Sequence, residues 1–214
     1  MSLNSNNLPG GASNITPMEP GTYPARTVAI VDLGMQTQRP WQGKEKPPAN
    51  MIAITYEFVD EFLKDEDEKD ILDKPRWLTE MMAIYNLSAD KAISTKRYLA
   101  LDPSQEYKGD FSKVVDIPCM VTVVHNPNKK TGGVYENIAS ISPMREKDAD
   151  KCPALVNPLK VFDFDEPNLE VFLSLPSFIQ KKVKAALNYE GSKLAVLLGV
   201  ETKEAEASDG DNPY

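Results

Sequence analysis

The chain of 214 residues is 41% hydrophobic and 26% charged, which is typical of a soluble globular protein with one domain and some appendages. Its apolar runs fall short of the roughly 20 residues that span a bilayer, which excludes an ordinary membrane protein. The formal net charge of −8, considered without its distribution along the chain, also disfavours binding to nucleic acid, because phosphates require a positive surface.

The negative charge is concentrated in two segments. Residues 60–73 carry −6 and residues 201–214 carry −4, so the rest of the chain is slightly positive at +2. Basic residues gather in three short stretches, at 39–46, 129–130 and 181–184. One such run is typical of solvated surface, but the first two lie beside aromatic residues, Trp41 and Tyr135. That combination favours a site for nucleic acid.

The terminal segments and the cysteines indicate in which cellular compartment the protein works. Residues 1–18 lack the basic start and apolar stretch of a secretory signal, so we predict a flexible cytosolic arm. Cys119 and Cys152 are the only cysteines and form no CxxC motif, which indicates neither a disulfide framework nor a zinc site. Residues 201–214, which contain no packing residue before Tyr214, are predicted to be a disordered acidic tail.

Taken in chain order, the patterns first predict three strands. GTYPARTVAIVDLG at 21–34 is rich in β-branched residues and bounded by glycine, and residues 50–61 alternate apolar and polar positions, with Tyr56 on the core side. A third strand is predicted at 75–87, although its methionines also suit a helix. Residues 60–73 are predicted as a solvated loop held away from any ligand.

A helix and two more strands complete this region. The helix is predicted at 88–101, where Ser88 is a natural N-cap and an Asp-Pro pair ends the segment. Strands at 117–126 and 133–142 flank a turn rich in Asn, Pro and Gly. Three strands, a helix and two strands are the order of an OB-fold, a five-stranded barrel with its helix between strands three and four. The predicted fold is mainly β, with the OB-fold domain at 19–145.

Beyond residue 145 the pattern becomes helical. Residues 176–188 begin with a proline at an acceptable first-turn position and carry an apolar stripe. Residues 193–199 are predicted as one more packed turn or a short strand. We therefore predict a helical extension at 146–200 that packs on the barrel.

The sequence offers little catalytic or metal-binding chemistry. His125 is the only histidine, and we predict a surface or core role for it. Gly132 and Gly133 are not followed by the GK[ST] of a phosphate-binding loop. Asp163 and Asp165 could hold Mg²⁺ if their segment is extended, but surface positions are favoured. With no activated nucleophile and no acid/base pair, we predict no enzyme activity, no cofactor and no metal site.

The predicted ligand site combines the barrel with its basic loops. In an OB-fold the ligand lies across strands two and three, between the loop joining strands one and two and the loop joining strands four and five. Both loops here are basic and carry or abut an aromatic residue, which can stack on a base. On strand three, Trp77 suits stacking and a core position equally. The predicted DNA-binding residues are Arg26, Arg39, Trp41, Lys44, Lys46, Arg76, Trp77, Lys129, Lys130 and Tyr135.

Six segments together resemble the single-stranded DNA-binding proteins of tailed bacteriophages, in particular those of enterobacterial phages. They are EPGTYPARTVAIVDLGMQTQ, KPPANMIAITYEFVDE, PRWLTEMMAIYNLS, IPCMVTVVHN, YENIASISPM and LPSFIQKKVKAALNYE, which cover most of residues 19–190. The resemblance implies an OB-fold that coats single-stranded DNA during phage replication or recombination in the cytoplasm of the infected bacterium, without enzymatic activity. It does not identify the DNA contacts, which are predicted from the two basic loops and their aromatic residues.

The acidic tail fits this interpretation. A negative segment with a hydrophobic tip competes with DNA for the same cations and, once displaced, is free to contact replication or recombination proteins. The residues assigned to this role are Glu204, Glu206, Asp209, Asp211 and Tyr214. A solubilising end is the plainer alternative.

Two other functions remain as alternatives. One is a phage structural or assembly protein that uses the barrel for protein contacts, with its basic loops meeting acidic patches on neighbours. The other is a recombination mediator that anneals strands or loads a nuclease. Self-association on DNA is compatible with either DNA-binding function.

Overall fold

The computed structural model describes residues 16–40, 42–127 and 133–199, which form a mainly β protein. Its strands are Gly21–Gln36 (β1), Ala49–Lys64 (β2), Asp70–Ala83 (β3), Pro118–Pro127 (β4), Val134–Pro143 (β5) and Lys160–Phe162 (β6). Its helices are Ile93–Leu101 (α1), Glu146–Ala149 (α2), Leu169–Ser174 (α3), Ser177–Lys184 (α4) and Lys193–Leu197 (α5). The predicted fold class is confirmed at this level, with one strand more than expected.

β1 is the central strand of the sheet. It pairs antiparallel with β4 near its start, antiparallel with β2 over most of its length, and parallel with β6 at residues 29–31. β3 lies beyond β2 and β5 lies beyond β4, so the order is β3-β2-β1-β4-β5. No backbone ladder joins β3 to β5 in the described part of the chain. The sheet is therefore open, and the predicted closed five-stranded barrel is not established.

Two apolar layers lie on opposite faces of β1 and β2, because successive side chains of a strand point to opposite sides. The first layer contains Ile52, Ile54, Tyr56 and Phe58 of β2 together with Tyr98 of α1. The second contains Ala53 of β2 together with Phe162, Phe172, Ile179 and Leu194. Tyr56 thus has its predicted core position. Each large apolar side chain buried in this way contributes about 1.5–3 kcal/mol, so the second layer holds β6, α3, α4 and α5 on the sheet.

The acidic segment 60–73 is not a solvated loop, and this prediction is wrong. β2 and β3 extend through it as a hairpin, and the turn spans only residues 65–69. Phe62 pairs with Pro75 and Leu63 pairs with Ile71 in this extension. The half-buried apolar residues sustain the pairing, while the surrounding carboxylates obscure the alternation that would have revealed it.

The start of α1 also differs from the prediction. Asn86 accepts a hydrogen bond from the Ser88 backbone nitrogen at 2.9 Å through its side-chain oxygen. This Asx turn occupies the segment where Ser88 was expected to cap a helix. The helix begins at Ile93 instead, and its N-cap residue Ala92 makes no side-chain hydrogen bond.

Side chains bridge the opening between β3 and β5. Arg97 of α1 donates from Nε and Nη2 to the two carboxylate oxygens of Glu80 on β3, at 2.7 and 3.0 Å. The same Nη2 lies 3.4 Å from the carbonyl oxygen of Ile138 on β5. The Tyr56 hydroxyl donates to Glu80 at 2.9 Å. One arginine therefore joins two strands that share no backbone ladder.

The first described residues cross the same opening. Arg76 of β3 donates to Glu136 of β5 at 2.8 Å and to the carbonyl oxygen of Thr16 at 2.6 Å. The Met18 backbone nitrogen donates to Glu136 at 2.7 Å, and its carbonyl oxygen lies 2.7 Å from His125 Nε2. The Met18 side chain is buried in the first layer. His125 thus helps to hold Met18 against the sheet.

Candidate nucleic-acid interface

A stripe of large side chains runs along the outward face of β3 and past its end. Trp77, Met81 and Tyr85 are four residues apart, and their exposed fractions are 45%, 36% and 43%. They share one side because strand side chains alternate, and because Ile84, next to Tyr85, packs inward against the first layer. At the strand rise of about 3.3 Å per residue, the eight steps from Trp77 to Tyr85 span at most about 26 Å, which is long enough for several bases.

The neighbouring strand β2 is covered on the same side. Glu57, which pairs with Trp77, is buried, and its carboxylate accepts hydrogen bonds from the backbone of Val156 and the side chain of Asn157, both at 2.7 Å. Farther along β2, Ala53 lies under the second layer. The exposed part of the predicted ligand surface is therefore β3.

One end of the stripe contacts the loop between β1 and β2, residues 37–48, which the structure describes except for residue 41. The Tyr85 hydroxyl donates to Gln38 Oε1 at 3.2 Å, and Gln38 Nε2 donates to the carbonyl oxygen of Pro47 at 2.7 Å. Gln38 thus joins both sides of the loop to the stripe. The loop's exposed cations are Arg39, Lys44 and Lys46, and among the described residues none of them forms an ion pair.

The other end of the stripe lies beside the start of β5. Arg76, which precedes Trp77, is joined to Glu136, which follows Tyr135. Tyr135 is 54% exposed. The stripe therefore extends from the segment before β5 to the segment after β1, and these are the two places where the sequence predicts DNA-binding loops.

Several predicted contacts lie outside the described residues. They are Trp41, Lys129 and Lys130 of the two loops, and Glu204, Glu206, Asp209, Asp211 and Tyr214 of the tail. Their roles stay predictions.

Arg26 is bonded within the fold rather than presented to solvent. Its guanidinium donates to the carboxylate of Asp116 at 3.0 Å and to the carbonyl oxygens of Cys152 and Pro153 at 3.1 and 2.8 Å. Arg26 lies opposite Glu57 in the β1–β2 register. Together they hold residues 152–157 across the sheet. Its contact with DNA stays a prediction, and these bonds give it a structural role.

Arg76 is likewise bonded within the fold, since its guanidinium donates hydrogen bonds to Glu136 and to the Thr16 carbonyl oxygen. Its side chain is only 12% exposed. Of the two predicted contacts on β3, Trp77 is presented to solvent and Arg76 is not.

Sequence reasoning missed Met81, Tyr85 and Gln38. The first two could have been found, because they follow Trp77 at intervals of four within the predicted strand 75–87 and therefore share its face. Gln38 gave no such signal, since it meets Tyr85 only in the folded chain.

Asp163 and Asp165, the predicted carboxylate pair, lie in a turn. Asp163 accepts hydrogen bonds from the backbone nitrogens of Asp165 and Glu166 at 2.8 and 3.1 Å, which form a turn. In the described ranges, no group of three histidine, cysteine or acidic side chains is placed to hold a metal ion. Cys119 and Cys152 are free thiols, and burial raises the pKa of Cys119 to about 12. None of the described helices is long and apolar enough to cross a membrane.

Neither a protein-family model nor a curated protein sequence matches the chain.

Proposed function

We propose that the protein binds single-stranded DNA, without catalysing a reaction, along the outward face of β3. The observation that carries this proposal is the exposed stripe of Trp77, Met81 and Tyr85 between the two predicted loops. Aromatic rings presented in this way stack on bases of any sequence, and each contributes about 1–3 kcal/mol. The cations of the 37–48 loop neutralise the phosphates of the same strand.

The strand pairing supports an OB-like barrel within this proposal. β1 pairs with both β2 and β4, β5 continues from β4, and α1 lies in the chain between β3 and β4. In an OB-fold the ligand lies across the second and third strands. The bridges from Arg97 and Arg76 replace the missing ladder between β3 and β5.

The acidic hairpin limits the path of the DNA. It extends beyond Trp77, and residues 60–73 carry a charge of −6. Phosphates are repelled from that arm, so the strand leaves Trp77 towards Tyr135 rather than continuing along β3.

The biological role belongs to the same proposal. The resemblance to phage single-stranded DNA-binding proteins supports coating and protection of DNA during replication or recombination in an infected bacterium. The acidic residues 201–214 then compete with DNA for the cations and contact partner proteins when displaced.

A titration with oligo(dT), followed by tryptophan fluorescence at several salt concentrations, tests the proposal. Duplex DNA of equal length is titrated in parallel. We expect quenching by oligo(dT), weaker binding of duplex, and a log–log salt slope of about −0.7 per phosphate contact. Trp77→Ala should weaken binding by about 5- to 150-fold, which corresponds to the loss of one stacked base.

Leu72→Ala is the matched control, because Leu72 is also an exposed, large apolar residue of β3 but lies on the acidic hairpin. It should leave affinity unchanged. The proposal is wrong if the wild-type chain binds no oligo(dT), or if Leu72→Ala and Trp77→Ala weaken binding equally.

A second candidate is an assembly protein, which is favoured by exposed apolar side chains on the helical extension. They are Leu173, Leu187, Val196 and Leu197. This function predicts concentration-dependent self-association in sedimentation experiments and no response to oligo(dT).

A further inference from the structure

A second basic surface lies on the helical extension. Residues 171–188 contain three lysines and no acidic residue, in a chain with a formal charge of −8. Lys181 and Lys182 lie in the last turn of α4 and form no ion pair with any described residue. By contrast, Lys193 pairs with Glu166. Lys181 is exposed and Lys182 is half-buried, so both charges are available to a ligand.

Lys184 differs from these two. Its Nζ lies 5.7 Å from the ring centre of Phe172. Because Lys184 already makes this cation–π contact with a ring of the second layer, the proposed site contains only Lys181 and Lys182.

The end of α4 is bonded to the strand end that leads into the basic 37–48 loop. Gln36 is buried, and its Nε2 donates to the carbonyl oxygen of Lys182 at 3.0 Å. The Leu187 backbone nitrogen donates to the carbonyl oxygen of Met35 at 2.8 Å. Gln36 precedes Arg39 by three residues, which span at most about 11 Å. These bonds therefore hold the end of α4, which carries the two lysines, close to the start of the basic loop.

We propose that Lys181 and Lys182 bind the phosphodiester backbone of the same DNA strand that stacks on β3, so that α4 continues the DNA path beyond the 37–48 loop. The inference rests on the proposed function. Lysine binds phosphate as a point charge without reading the base, which suits a sequence-independent site. Phe178 lies one turn earlier on the same helix face and is 46% exposed, so an aromatic ring adjoins the two cations.

Both lysines also complement the negative end of the helix dipole, so thermal stability cannot identify their role. The salt dependence of DNA binding can. The test compares the full wild-type chain with Lys181→Gln/Lys182→Gln, using oligo(dT) of about 16 nucleotides, the upper end of site sizes for one OB-fold. Because the variant no longer neutralises two phosphates, we expect the log–log salt slope to become shallower by about 1.4 and affinity at 0.1 M salt to fall about 25-fold. Fluorescence quenching at saturation should not change.

Lys147→Gln/Lys151→Gln is the matched control. Both residues are exposed, and Lys151 lines a cavity with Pro24, near the end of β1 opposite Gln36. This variant removes the same charge and should keep the wild-type slope.

The outcomes separate the two proposals. If the wild-type chain binds oligo(dT) and the Lys181→Gln/Lys182→Gln variant keeps its slope, or loses no more than the control, the α4 site is wrong and the proposed function stands. If the wild-type chain does not bind, both are wrong. An increase in affinity on removing the lysines would show that they hold an acidic segment of the protein instead, which also overturns the α4 site.

Discussion

The two borders of β3 are held by different forces. Towards β2 it forms a backbone ladder from Met51–Ala83 to Lys64–Asp70, with shifts in register near Phe62. Towards β5 the described strands share no ladder, and the side chains of Arg97 and Arg76 make the connections. One edge of β3 is thus fixed by backbone N–H and C=O groups, which nearly every residue carries, and the other by a few individual side chains. The second edge is therefore the one that single substitutions should weaken.

The largest expected effect is at the Arg97–Glu80 bridge. The side chains of Arg97 and Glu80 are only 8% and 15% exposed. Arg97→Ala leaves the Glu80 carboxylate without its charged partner in a largely dry site, which should cost about 3–5 kcal/mol of unfolding free energy. Urea denaturation followed by circular dichroism measures this loss.

Arg145→Ala is the control for that measurement. Arg145 pairs with Asp148, but its side chain is 74% exposed, so its loss should cost about 0–1 kcal/mol. Equal costs for the two substitutions would show that the bridge does not hold β3 to β5.

A smaller effect is expected at Tyr56, whose hydroxyl donates to the same carboxylate. Burial, reinforced by the negative charge of Glu80, raises the pKa of Tyr56 well above its ordinary value of 10.0. The resulting stability is fully present below pH 10 and is lost as the pH rises through the higher folded-state pKa. Tyr56→Phe should cost about 2 kcal/mol at neutral pH, where a hydrogen bond to a charged acceptor is lost.

The pH profile distinguishes this account from a simple packing defect. Above pH 10, the unfolding free energy of the Tyr56→Phe variant should fall less steeply than that of the wild-type protein, because one titrating group has been removed. Parallel profiles between pH 8 and pH 11 would contradict the assigned role of Tyr56.

The smallest effect is expected on the ladder side. The hydroxyls of Thr55 and Thr79 lie 2.8 Å apart across β2 and β3. Thr79→Val removes this bond but retains every backbone hydrogen bond, so it should change the unfolding free energy by at most about 1 kcal/mol. A loss above 2 kcal/mol in urea denaturation would mean that this border also depends on side chains.

The strands were predictable where one face is buried and the other polar. β2 was expected at 50–61 because its alternation is regular, and the structure places it at Ala49–Lys64. The hairpin beyond it was missed because acidic residues around Phe62, Leu63 and Ile71 hide the alternation of apolar and polar positions that indicates a strand. β6 was missed because three residues carry no usable periodicity.

The candidate site was predictable only in part. Trp77 lies on an expected strand, but its exposure depends on which face the second layer covers, and local sequence does not show this. Arg26 looked like a free cation because Asp116, its ion-pair partner, is 90 positions away in the sequence. The bond between Gln36 and Lys182 of α4 joins positions 146 residues apart. Such contacts follow from the assembled fold rather than from any local pattern.

The central position of β1 has a consequence during synthesis on the ribosome. Its partner β2 is the next strand in the chain, but Val31 also pairs with Phe162, which is synthesised 131 residues later. At about 5–20 residues per second this is a delay of roughly 7–26 seconds. Throughout that interval Val31 and Leu33, both buried in the finished second layer, lack the side chains of β6, α3, α4 and α5 that cover them. The nascent chain therefore presents an apolar strand surface to chaperones, or to other nascent chains, until its last third has emerged.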